Sequence, residues 1–141
     1  MWKAVVDAFN GSTQTPNDDN EQSYDFVQVQ AIVKNEGGSQ ILLDVREPDE
    51  YASGHIPGVP NMPFRSHPLA LHIPPSEFHK DFGFVKPGKE KELIMLCASG
   101  FRAGKAKNEA LKAGYQNVSL YSGSMKDWVA KGGETVVESQ S

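Results

Sequence analysis

The chain has a single cysteine among its 141 residues. It can form no internal disulfide, so folding does not require an oxidising compartment. Nor does it have an apolar run near the ~18 residues that a membrane-spanning helix needs. Its start, MWKAVVDAFNGS, lacks the apolar core of a secretory signal and the arginines of an organelle presequence. No block of like charge is long enough to be an interaction tail. The net charge of −4 runs against a nucleic-acid partner, which selects a basic face. His67, His72 and His79 have no metal-ligand spacing with the lone thiol, so no metal site is expected. The expected location is intracellular, in cytoplasm or mitochondrion.

What is present is an alternation of strands and helices of a length that fits one domain. Trp2, Val5, Val6 and Phe9 recur at helical spacing. That predicts a short N-terminal helix, either packed on the domain or giving residues 1–10 a weak membrane or partner contact. Residues 10–20, NGSTQTPNDDN, are polar and rich in turn formers, which predicts a flexible link. The division is an arm over 1–20 and a domain over 21–141.

Within the domain, Ser23 is a candidate cap for a helix over Tyr24 to Lys34, ended by Gly37 and Gly38. Ile41 to Val45 reads as a strand buried on both faces, and Pro48 opens a short helix through Tyr51. Asn61 to Pro63 predicts a brief strand, and Ser76 a cap for a helix carrying Phe78 and Phe82. Glu92 to Leu96 is a strand, Ala103 to Lys112 a helix, Val118 to Tyr121 a strand. Ser124 is a candidate cap for a last helix with Trp128 in the core. The expected fold is α/β, with a mostly parallel central sheet flanked by helices on both faces. Ligands of such sheets bind outside the carboxyl ends of the strands, and Cys97 lies at such an end.

The stretch LCASGFRAGKA turns there from strand to helix. Main-chain N–H groups of Ala98, Ser99, Gly100 and Phe101, and of the first helical turn, lack intrahelical partners and can form a nest for negative charge. The helix dipole and Arg102 add positive character. Each contribution favours a thiolate over a thiol, and a thiolate in an anion-binding cup is a nucleophile for anionic substrates. The bland alternative is a buried structural cysteine.

This loop, C-A-S-G-F-R, resembles the active-site loop of rhodanese-type sulfurtransferases. LLDVREPDEYASGHIPGVPNMP over 42–63 resembles that family's N-terminal signature, and GSMKDW over 123–128 its C-terminal one. The closest likeness is to single-domain thiosulfate sulfurtransferases of the fungal type. The resemblance implies a single rhodanese-like domain and ping-pong chemistry without a cofactor. Cys97 would take the outer sulfur of a small-molecule donor as a persulfide and pass it to cyanide or a thiol. Arg102 and the loop N–H groups of residues 98–101 would hold the sulfur and the donor's sulfonate.

Cysteine phosphatases use a longer loop, with five residues between Cys and Arg; here there are four. Phosphate-ester hydrolysis, arsenate reduction and a non-catalytic sulfur-binding module are the other readings. Two departures stand out: Ala98 occupies a position often cationic in the family, and Ser124 replaces the second of two glycines, a change expected to matter little. Asp44 and Arg46 flank Val45 on one side of the strand and are expected to brace the loop ends. His55 is expected to be a hydrogen-bonded structural histidine. Arg65 is a candidate contact for the donor's anionic end.

Overall fold

A computed structural model describes residues 23–35 and 38–138. The expected N-terminal helix, the link over 10–20 and the helix stop at Gly37 lie outside them. In chain order the elements are α1 (Phe26–Lys34), β1 (Gln40–Asp44), α2 (Pro48–Ala52), a 3₁₀ turn (Ala70–His72), α3 (Pro75–Phe82), β2 (Glu92–Leu96), α4 (Phe101–Lys112), β3 (Val118–Leu120) and α5 (Ser124–Ala130). The strands form a parallel sheet in the order β1-β2-β3, with Asp44 opposite Leu96 and Met95 opposite Leu120.

The two faces follow from the period of two along β2. Leu93, Met95 and Cys97 point into a core shared with Phe78 of α3 and Ala103, Ala106 and Ala110 of α4. Ile94 and Leu96 point the other way, against Val29 of α1 and Met125 and Trp128 of α5. Helices therefore cover both faces, and the strands read as continuous apolar runs because neither face meets water.

Several expected boundaries move, each for a local reason. Asp25, not Ser23, caps α1: its side chain accepts the Gln28 N–H, and Gln28 Oε1 accepts the Asp25 N–H. Ser23 is instead bridged to Leu120, and the Tyr24 N–H goes to the Leu120 carbonyl. Ser76 lies inside α3, which starts at Pro75 with Gly83 left-handed at its end. Asn61 makes a single parallel bridge to Asp44 rather than a strand.

Candidate active site

β2 ends at Leu96, and α4 begins only four residues after Cys97. Gly100 makes so short a turn possible. It has φ 108°, and a Cβ there would lie 2.6 Å from the Ser122 carbonyl oxygen. The first α4 hydrogen bond, from the Gly104 N–H, goes back to the Gly100 carbonyl. The N–H groups ahead of it are free of the helical ladder. Two of them reach the sulfur: Gly100 donates to Cys97 Sγ at 3.0 Å and Ala103 at 3.3 Å.

A second helix holds the cysteine's own backbone. The Cys97 N–H donates to Ser124 Oγ at 3.0 Å, and the Met125 N–H donates to the Cys97 carbonyl at 2.9 Å. The Lys126 N–H likewise donates to the Ala98 carbonyl. Ser124 is fully buried, left-handed at φ 56°, and its hydroxyl donates to the Tyr121 carbonyl. It is the first residue of α5, not its cap. Ser124 thus touches the peptide of Cys97. Cys97 itself is 1% exposed.

The remaining candidates separate into two groups. Ala98, Ser99 and Gly100 lie in the loop around Sγ, with Ser99 exposed. Phe101 opens α4 with its ring in solvent, and Lys105 Nζ stands 4.6 Å over that ring. Arg102 is already paired: Nη1 and Nη2 donate to Glu50 Oε1 and Oε2 at 2.7 and 2.9 Å. These bonds hold the Glu50 carboxyl down at about 2, against burial and with help from the Glu47 N–H. They also raise Arg102 above the usual guanidinium value, with the charges of Glu50, Cys97 and Glu47 adding to the effect.

Asp44, Arg46 and His55 sit apart from the sulfur. Arg46 forks onto the Asp44 carboxylate at 2.9–3.3 Å and reaches the Gly54 carbonyl at 2.8 Å. His55 stacks on Tyr51, contacts its carbonyl through Nδ1 and faces Glu138 through Nε2. Burial, with the charges of Glu138 and Asp44, pushes Tyr51 up to about 12. The Arg65 main-chain N–H donates to Glu47 Oε2 at 3.0 Å, while its exposed side chain makes no hydrogen bond or ion pair among the described residues.

Glu47 and Glu50 are site residues to which the sequence assigns no role, and Ser124, expected as a helix cap and a minor departure, accepts the Cys97 N–H. For Glu50 the readable signal was its place three residues after Glu47, ahead of a short helix opened by proline. Two cavities, of about 470 and 610 Å³, lie elsewhere: one between α1 and residues 57–60, the other beside Tyr51, Phe82 and Phe84. Neither is lined by Cys97.

A thiol ending a parallel strand, with main-chain N–H groups on its sulfur and a helix starting beside it, defines a class: α/β domains that carry a cysteine in an anion-binding loop. Within that class the chain belongs to the rhodanese-like domain family, whose profile matches residues 28–131. It is 50% identical over 135 residues to the thiosulfate:glutathione sulfurtransferase of Saccharomyces cerevisiae, covering 95% of this chain and 97% of that protein. The crystal structure of the S. cerevisiae single-domain sulfurtransferase RDL2 matches with TM-score 0.76 and 42% identity, covering 86% of this chain and 95% of the other. The human single-domain sulfurtransferase TSTD1 matches with TM-score 0.70 and 30% identity, covering 77% and 96%.

Proposed function

We propose that the chain is a thiosulfate sulfurtransferase that works through a persulfide on Cys97. The Cys97 thiolate attacks the outer sulfur of thiosulfate. A sulfur–sulfur bond forms to Sγ, the donor's own sulfur–sulfur bond breaks, and sulfite leaves with the electron pair. A nucleophilic acceptor then attacks the outer persulfide sulfur and returns Cys97 as thiolate. Cyanide gives thiocyanate in this step, and a thiol gives its persulfide. The yeast relative named for glutathione supports a small anionic thiol as the acceptor in cells. The relative named mitochondrial leaves both cytoplasm and mitochondrion as sites of action.

The observation that carries this reading is the pair of N–H groups, from Gly100 and Ala103, on Cys97 Sγ. They stabilise negative charge on Sγ both when it attacks the donor and when the acceptor displaces it as thiolate. Arg65 stands as the contact for the donor's far end, so Arg65→Ala raises KM for thiosulfate. The test is thiocyanate production from thiosulfate and cyanide by wild type and Cys97→Ser. Activity is expected in wild type alone, with an adduct of about 32 Da, the mass of one sulfur, on Cys97 after donor alone. Turnover of a phosphate ester at rates matching thiosulfate would replace this reading with a phosphatase.

A further inference from the structure

The electrostatics around Cys97 are less cationic than the loop's arginine suggests. Glu50 takes one N–H from each terminal nitrogen of Arg102, so the pair carries no net charge. The carboxylate is not free to swing away. It sits in the first turn of α2, where Oε1 also accepts the Glu47 N–H at 3.0 Å. Ala98 supplies no second cation beside the cysteine. The pair lies at the carboxyl end of β1, next to the end of β2 where Cys97 sits, and the Val45 N–H joins the two strand ends through the Leu96 carbonyl.

We propose that Glu50 is a specificity-determining residue of the Cys97 site: its carboxylate offsets the charge of Arg102 and so favours monoanionic sulfur donors over dianionic ones. The inference rests on the sulfur-transfer reading for its donors. Thiosulfate brings two negative charges. An organic thiosulfonate brings one, and delivers its outer sulfur by the same exchange, with a sulfinate leaving in place of sulfite. The second charge of thiosulfate meets Glu50 wherever it approaches the Arg102 guanidinium. Glu50 is 36% exposed, so water screens this repulsion in part and the effect is a bias, not an exclusion.

The experiment compares wild type, Glu50→Gln and Glu50→Asp in two ways. The first is the ratio of kcat/KM for thiosulfate to that for methanethiosulfonate. The second uses no sulfur transfer: the ratio of Cys97 alkylation rates by anionic iodoacetate and neutral iodoacetamide, unambiguous because the chain has one cysteine. Glu50→Gln is expected to raise both ratios about fivefold or more, the effect of removing one partly screened charge. Glu50→Asp keeps the charge and should leave both ratios within about twofold of wild type. Unchanged ratios in Glu50→Gln overturn the proposal, as do ratios in Glu50→Asp that move as far as those in Glu50→Gln. If wild type transfers no sulfur, the functional reading fails, while the alkylation ratio still decides whether Glu50 sets the field. Circular dichroism checks each fold first, and Glu50→Ala stands in if Glu50→Gln does not fold.

Discussion

β1 and β2 run side by side, and each delivers a group able to carry negative charge at its carboxyl end. The two groups are treated in opposite ways. Asp44 is fully buried and receives a full counter-charge, the forked guanidinium of Arg46, with the Arg46 N–H added at 3.1 Å. The hydrogen bonds on Cys97 Sγ come instead from main-chain dipoles, the N–H groups of Gly100 and Ala103. A buried ion pair fixes its members in place, because neither can leave without stranding the other's charge. Main-chain dipoles stabilise an anion of any shape that fits, and they remain available when the sulfur gains a second atom. Arg102 could have been to Cys97 what Arg46 is to Asp44, but Glu50 holds it. One strand end is thus locked for structure, and its neighbour is left for chemistry.

The largest expected effect tests the locked end. Arg46→Met leaves Asp44 buried without its counter-charge, which costs about 3–5 kcal/mol of stability. For a chain of this size that is a fall in Tm on the order of 10 °C, measured by calorimetry. A loss below about 1 kcal/mol would show that Asp44 is held by its main-chain partners and that the two strand ends are more alike than they look. Next comes the open end. Gly100→Ala forces a left-handed alanine and drives its Cβ against the Ser122 carbonyl, for a cost of about 1–3 kcal/mol. Because the Gly100 N–H is one of the two on Sγ, sulfur transfer should fall further than stability does, by roughly tenfold or more. The cyanide assay, run beside a urea titration, separates the two losses.

The contrast between the strand ends was only half legible in the sequence. The sequence marks β2 at its observed boundaries because the four apolar residues from Leu93 to Leu96 make sense only when buried on both faces. Cys97 stood out because it ends that run. The apolar pattern starts α4 at Ala103, two residues after its observed start. Phe101 and Arg102 do not fit an apolar face, and what starts the helix is the left-handed Gly100, a backbone state that hydrophobic periodicity does not record. The start of α1 differs for the opposite reason. Ser23 is a sound local cap, but Tyr24 spends its N–H on β3, and long-range pairing overrides local preference. The Glu50–Arg102 pair joins residues 52 apart, so the sequence displays both charges without saying that they meet.

That pair also gives a smaller effect, with a definite sign in pH. Glu50 is held at about 2 against an ordinary 4.5. Its contribution is therefore complete above pH 4.5 and is lost as pH falls through 2. Over that window wild type should lose stability relative to Glu50→Gln, which has nothing to protonate there. The carboxylate is partly exposed, so screening limits the difference to about 1 kcal/mol or less. Denaturant midpoints at a series of acid pH values would show it, and parallel curves for the two proteins would mean that the ion pair adds nothing to stability.

The smallest expected change in stability belongs to Ser124→Gly, and it sharpens the comparison most. Glycine relieves the left-handed conformation at φ 56°, a gain of about 1 kcal/mol. The same change deletes the hydroxyl that accepts the Cys97 N–H and donates to the Tyr121 carbonyl, a loss of about 1–2 kcal/mol. The two nearly cancel, so the midpoint of unfolding should scarcely move, whereas Ser124→Ala keeps the strain, loses the hydroxyl and should fall by about 1–2 kcal/mol. Activity need not follow stability. With the Ser124 hydroxyl gone, the Met125 N–H on the Cys97 carbonyl becomes the remaining α5 tie to that peptide. If α5 holds the thiol where α4 can reach it, kcat for thiosulfate drops about threefold in Ser124→Gly while KM stays, since placement of the nucleophile acts on the reacting step and not on donor binding. A Gly variant as fast as wild type would mean that the main-chain ties of α5, from Met125 to the Cys97 carbonyl and from Lys126 to the Ala98 carbonyl, position Cys97 without the Ser124 hydroxyl.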